Sequence, residues 1–196
     1  IATPPKDYSS GLVNPLRPIP PEVSAIHHII DDDVSDAMTK EEAFRRLIAG
    51  ADIFVAHNAE FDRQFFAGGD RPWICTLKCS RRVWPDAPSH GNQALRYWLK
   101  LPVDREIAAV AHRAGPDAYV TAFLLVALVE AGASIDEMVR WTKEPSLLPR
   151  VTFGKHKGAK WSDVPLDYLF WLRRQVDLDR DVKHTLGVEL RERGEA

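Results

Sequence analysis

Three consecutive apolar residues, Ile53, Phe54 and Val55, stand between polar flanks and run straight towards His57 and Asn58. An apolar run without alternation is the pattern of a strand buried on both faces, and such a strand needs packed layers on either side. Asn58 is a favoured helix N-cap, and Phe61 and Phe65 fall one turn apart on the helix it would start. A buried strand turning into a helix at 56–58 predicts an α/β chain. Polar residues at the carboxyl ends of such strands merit a functional test, because α/β proteins build their sites there.

Elsewhere the pattern is more uneven. Residues 1–36 carry Pro4, Pro5, Pro15, Pro18, Pro20 and Pro21, which excludes a long helix and predicts an extended segment near Gly11–Val13 followed by loop. Thr39 and Glu42 have capping-box spacing, so a helix is expected from Lys40 to Ala49, stopped at Gly50. Further helices are expected over 92–99 and from Gly115-Pro116 to near Gly132. Pro145 and Pro149 mark a linker. Beyond it, Pro165–Gln175 and Asp179–Arg193 read as amphipathic helices, the second with Val182, Leu186 and Leu190 on one stripe.

Of the 196 residues, 45% are hydrophobic and 28% charged, enough for a sizeable core and too apolar for a disordered chain. The apolar run 118–131 is too short to span a bilayer and no secretory leader opens the chain, so the expectation is a cytoplasmic protein without membrane contact. Cys75 and Cys79 have no second pair or histidine cluster beside them and read as idle thiols. The net charge of −2 gives no global nucleic-acid footprint. Residues 1–145 hold 16 basic against 20 acidic side chains, whereas 146–196 hold 10 against 8. Arg150, Lys155, Lys157 and Lys160 cluster in the latter with no acid among them.

Two groups could carry chemistry. In His57-Asn-Ala-Glu-Phe-Asp62, Asp62 reads either as a first-turn acid favoured by the helix dipole or as a metal-binding carboxylate. In His112-Arg-Ala-Gly-Pro-Asp117, a loop histidine precedes a helix with an aspartate in its first turn. A hard cation prefers carboxylate oxygens, and a nearby histidine can take a proton from metal-bound water at neutral pH. An exposed loop histidine with a dipole-favoured acid is the plainer alternative.

Together these groups resemble the second and third motifs of the DEDDh exonucleases, the family of the proofreading epsilon subunit of DNA polymerase III and of ribonuclease T. The match extends over about residues 10–132 through Leu12-Val-Asn-Pro15, Ile19-Pro20, Ala25-Ile-His-His-Ile29, the run from Phe54 to Arg63, and His112 to Ala118. The resemblance implies a ribonuclease H-like mixed sheet flanked by helices, and two divalent cations, Mg²⁺ or Mn²⁺, in a two-metal mechanism. It makes Asp62 and Asp117 metal ligands and His112 the general base. It assigns Asn58 and Phe61 to the terminal nucleotide. His27 either approaches the substrate or serves packing and capping.

The family's first motif, Asp-x-Glu on an opening strand, has no counterpart before Gly11, and Asp31-Asp-Asp33 reads as solvated surface. The chain starts at Ile1, with methionine only at 38 and 138, so the expectation is that the natural protein carries this strand ahead of Ile1. A naturally inactive remnant is the other reading.

Phe153-Gly-Lys-His-Lys-Gly158, Trp161, Tyr168-Leu-Phe-Trp171 and Glu189-Leu-Arg191 resemble a small bacterial module known as a quorum-sensing-regulated factor. The expected division is an exonuclease domain over 1–143 and a mainly helical module over 144–196 that binds nucleic acid or a partner. Lys155 and Lys157 could contact phosphate from the glycine-flanked turn, while Trp161, Tyr168 and Trp171 are expected to build the mini-core. The function so predicted is a 3′-to-5′ exonuclease of DNA repair or RNA maturation. Its partner is a nucleic-acid 3′ end, DNA or RNA, in single-stranded form. The alternative is a catalytically inactive nucleic-acid-binding or scaffold protein. A homodimer is compatible with the chain, though no residue argues for it.

Overall fold

The computed structural model describes residues 9–109 and 114–195. Its first strand, β1 (Val13–Asn14), pairs in parallel with β2 (Met38–Thr39). The proline-rich stretch between them permits only short helices, α1 (Pro21–His27), with proline at its start, and the single turn α2 (Asp31–Val34), where sequence predicts loop. The acidic run is exposed, as expected, and also holds this corner together. Asp31 accepts the Ile19 amide and Asp33 the Ile30 amide, each at 2.9 Å. The helix α3 (Lys40–Ala49) has the expected reciprocal cap: the Thr39 amide donates to Glu42 at 3.0 Å, and the Glu42 amide donates to Thr39 Oγ1 at 3.3 Å.

The strand β3 (Phe54–Ala56) is followed by α4 (Ala59–Phe65), which carries the chain back so that β4 (Trp73–Cys75) pairs in parallel with β3. The α/β class is thus realised. Among the described residues its strands fall into two separate parallel pairs, β1–β2 and β3–β4. The burial expected of β3 belongs instead to β4, which is fully buried, whereas β3 is half-buried throughout.

Two further helices close over β4. One is α5 (Thr76–Val83), which follows it directly; α6 (Asn92–Trp98) comes next, and after a 3-10 turn at Ile107–Ala109 the long helix α7 (Ala114–Glu130) buries Tyr119, Val120, Phe123, Leu124 and Leu128. The other helix over β4 is α8 (Ile135–Lys143), begun by a second reciprocal cap between Ser134 and Glu137. Polar side chains stitch this layer. Buried Lys78 donates to the carbonyls of Thr142 and Glu144, at 3.1 and 2.7 Å, satisfying acceptors at the end of α8. Cys75 and Cys79 are buried and unpaired with each other, and burial pushes the Cys79 thiol up to about 12, which makes it inert. No single helix among the described residues is long and apolar enough to cross a membrane.

The proline-marked segment after α8 is fastened. The Ser146 amide donates to Asp181 at 2.8 Å, the Leu148 amide donates to Thr185 at 2.9 Å, and Arg81 donates to the Ser146 hydroxyl. A loop from Gly154 to Gly158 is closed by an antiparallel bridge between Arg150 and Lys160. A 3-10 turn at Trp161–Asp163 leads to α9 (Leu166–Arg173) and then α10 (Arg180–Glu192), capped by Asp179. The expected stripe of Val182, Leu186 and Leu190 meets Val151, Trp161, Val164, Leu169 and Leu172 in one cluster.

The aromatic residues divide. Trp161 is core at 3% exposure and Tyr168 packs at its edge, but Trp171 is 52% exposed. Its expected place in the core is therefore corrected. Leu169 and Leu172 face inward from α9, and at 100° per residue Trp171, two positions beyond Leu169, is carried to the far side.

Candidate active site

The end of β3 and the start of α4 are joined by a turn built on Asn58. Its φ of 73° and ψ of 52° are left-handed, and its side chain makes no capping hydrogen bond, so the expected N-cap role is corrected. Asparagine tolerates this backbone better than most residues, and the type that favours caps here serves to redirect the strand into the helix. The first turn of α4 consequently presents Phe61 and Asp62. Phe61 is 58% exposed and meets the equally exposed Phe65 edge-on at 5.3 Å, an apolar patch beside a carboxylate. Asp62 is half-buried, and burial raises its carboxyl above the usual range.

His57 fixes this turn from behind. Its Nε2 lies 2.8 Å from the His90 carbonyl and its Nδ1 2.9 Å from Thr76 Oγ1, the first residue of α5. A carbonyl can only accept, so Nε2 carries the proton and Nδ1 receives the threonine hydroxyl. Burial lowers its pKa, with the Asp117 charge acting weakly the other way.

Asp117 sits in the first turn of α7, which packs against both β3 and α6. Its carboxylate has Gln93 Nε2 at 3.4 Å, and its carbonyl accepts the Thr121 hydroxyl at 2.8 Å. Asn92 spans the same corner, donating to Thr121 Oγ1 at 2.9 Å. Asp117 is thus held from α6, close enough to His57 for its charge to be felt there. His57, Asn92 and Gln93 are residues that sequence reasoning missed. Their only linear signals are adjacency to Asn58 and two amides opening a helix after Gly91.

The other expected residues are distributed differently. His112 lies outside the described residues. His27 closes α1, and its Nδ1 accepts the Ile29 amide at 3.1 Å, a helix-end bond in place of the expected loop position. Lys155 and Lys157 are exposed on the Gly154–Gly158 loop.

Asp62 and Asp117 are the oxygen donors that suit a hard divalent ion. Among the described residues no group of three or more His, Cys, Asp or Glu side chains gathers as a metal site. Two carboxylates by themselves supply fewer oxygens than a divalent ion takes up.

A family model described as Exonuclease (RNase_T) matches residues 6–125. The chain belongs to the exonuclease family. Among curated proteins, this nuclease is 39% identical to exodeoxyribonuclease 10 of Escherichia coli K12 over 172 residues, 86% of this chain and 77% of that one. It is 33% identical to a DNA polymerase III subunit epsilon-like protein of Rhodobacter capsulatus over 130 residues, 61% of this chain and 18% of that one. Among solved structures, exonuclease X in complex with 5′ overhanging duplex DNA aligns with a TM-score of 0.60 at 38% identity, covering 67% of this exonuclease and 78% of that chain. The fold is accordingly the ribonuclease H-like fold of exonucleases.

Proposed function

We propose that this exonuclease-family protein hydrolyses the terminal phosphodiester bond at the 3′ end of a DNA strand and releases nucleoside monophosphates one at a time. The observation that supports the reading is that Asp62 lies in the first turn of the helix that follows β3 and Asp117 in the first turn of α7, which packs against β3, in the order and residue types of the exonuclease motifs. The relatives' names favour DNA over RNA.

In this reading Asp62 and Asp117 would be ligands of two divalent cations, Mg²⁺ or Mn²⁺. The cations, when bound, acidify water and neutralise charge on the phosphate. His112 takes the proton of the attacking water. Phe61 stacks against the terminal nucleotide, Asn58 shapes the turn beneath it, and His27 borders the strand. Gln93 and Asn92 hold the Asp117 corner.

Residues 144–196 act as a separate module, supported by the way the five hydrophobic clusters each stay on one side of position 144. Lys155 and Lys157 contact phosphates of a single-stranded 3′ end from this module. DNA repair in the cytoplasm is the matching role, and a homodimer remains compatible with it. The second reading is a catalytically inactive nucleic-acid-binding or scaffold protein that kept the exonuclease fold.

The two readings separate on the full-length protein with a 5′-labelled single strand and Mn²⁺. Stepwise shortening from the 3′ end is expected. Asp62→Asn and Asp117→Asn should each abolish it, and His112→Ala should slow it about 10²- to 10⁴-fold. Full activity in the Asp117 variant would overturn the site.

A further inference from the structure

We infer that His156, Tyr168 and Trp171 form a stacking platform for the bases of a single DNA strand, with Lys155 and Lys157 beside it to receive phosphates. The inference rests on the nuclease reading above and names what the carboxyl-terminal residues hold.

The three rings form a ladder. His156 meets Tyr168 edge-on, with centroids 4.5 Å apart and planes at 67°, and Tyr168 meets Trp171 at 5.2 Å with planes inclined by 35°. At the lower end the ladder is locked to the glycine loop. Gly154 has a φ of +64°, and a Cβ placed there would stand 2.9 Å from the Tyr168 hydroxyl, so the loop lies directly on the tyrosine. The loop backbone that carries Lys155, His156 and Lys157 is thereby held against α9. At the upper end the ladder opens to water: Trp171 is 52% exposed, whereas Trp161 of the same cluster is 3% exposed. A tryptophan left outside the core at the end of an aromatic row is a feature of recognition surfaces, since large aromatic area is costly to leave wet.

The surrounding charge fits a polyanion. Lys155 and Lys157 are exposed, as are Arg173 and Arg174 at the end of α9. The other two cations of the loop have structural work: Arg150 donates to the Gly158 carbonyl at 3.0 Å and Lys160 pairs with Asp86 at 2.6 Å. The two acids between the loop and Tyr168, Asp163 and Asp167, each accept a hydrogen bond, from the Ser162 hydroxyl at 3.3 Å and from the Tyr168 amide at 2.8 Å. An exposed aromatic cluster next to a loop with exposed cations matches bases and their phosphates, and an acidic peptide offers no bases to stack.

The test measures binding of the full chain to fluorescein-labelled oligodeoxythymidine without divalent ions, so that it does not depend on catalysis. The parent should prefer this strand to an abasic strand of equal length. Trp171→Ala should weaken binding about tenfold and erase that preference, while Trp171→Phe keeps most of both. Lys155→Ala with Lys157→Ala should lower the salt slope by roughly 1.4 and leave the preference for bases intact. Parental affinity in Trp171→Ala, equal loss in the Ala and Phe variants, or a parent indifferent to bases would each overturn the platform. Because Trp171 lies outside the core, its variants should melt with the parent. The nuclease reading is tested by Mn²⁺-dependent shortening and the platform by metal-free binding, so the two ideas fail separately.

Discussion

Thr142 Oγ1 receives the backbone amide of Cys75 at 2.7 Å, joining the end of β4 to a helix residue 67 positions further along the chain. The same hydroxyl donates to the Met138 carbonyl at 2.7 Å, so both of its roles are filled in a buried setting. Replacing it with valine keeps the shape and leaves the Cys75 amide buried without a partner. Thr142→Val should cost about 1–3 kcal/mol in urea unfolding, and Thr142→Ser should recover most of the loss.

Acid should weaken the fold through two histidines behind the site. Ser80 spends its hydroxyl hydrogen on the Leu77 carbonyl, so His90 Nδ1 must donate to Ser80 Oγ at 3.1 Å, leaving Nε2 buried with no partner. Burial pushes His90 down to about 4 from its ordinary 6.5 and lowers His57 as well. The unfolded chain therefore takes up protons first. Stability is full above 6.5 and falls as the pH drops towards about 4. Unfolding midpoints across this window should decline on acidification, and His90→Asn should flatten the decline.

Arg193 closes the carboxyl-terminal cluster. Its guanidinium donates to the carbonyls of Val164, Trp161 and Ser162 at 2.8–2.9 Å and pairs with Glu189 at 2.6 Å. Thermal melting of Arg193→Ala should show a loss of roughly 2–3 kcal/mol. Lysine should not rescue it, because a point charge cannot reach several carbonyls at fixed angles.

At Gly154, alanine meets two obstacles, the left-handed backbone and the Tyr168 hydroxyl. Gly154→Ala should destabilise by about 1–2 kcal/mol from the backbone alone. Removing the hydroxyl with Tyr168→Phe should relieve only the contact part, and the four-variant cycle measures that part directly.

Local signals were the legible ones. The Thr39–Glu42 cap and the stripe of Val182, Leu186 and Leu190 depend on residues a turn or two apart, and both form as the sequence implies. The helix α8 carries the same signature at Ser134 and Glu137 and escaped notice behind the proline-marked linker. The helix α5 was illegible for a physical reason: it buries Thr76, Lys78 and Ser80, and the acceptors that make Lys78 tolerable are 64 and 66 residues away. In the site, Asp62 and Asp117 stood in recognisable motifs. The supports did not, because His57 finds Thr76 and His90 only after folding, and Gln93 reaches Asp117 only when α6 packs on α7. Asn58 reads from sequence as a helix N-cap and instead takes a left-handed backbone without a capping bond, since caps and left-handed turns favour the same side chain.

The joint around Ser146 is held by a hydrogen bond from Arg81 to the Ser146 hydroxyl and by the Ser146 and Leu148 amides donating to Asp181 and Thr185, while each hydrophobic cluster keeps to its own side. Polar bonds hold at set angles, so they fix the direction in which the backbone leaves α8 more narrowly than apolar packing would.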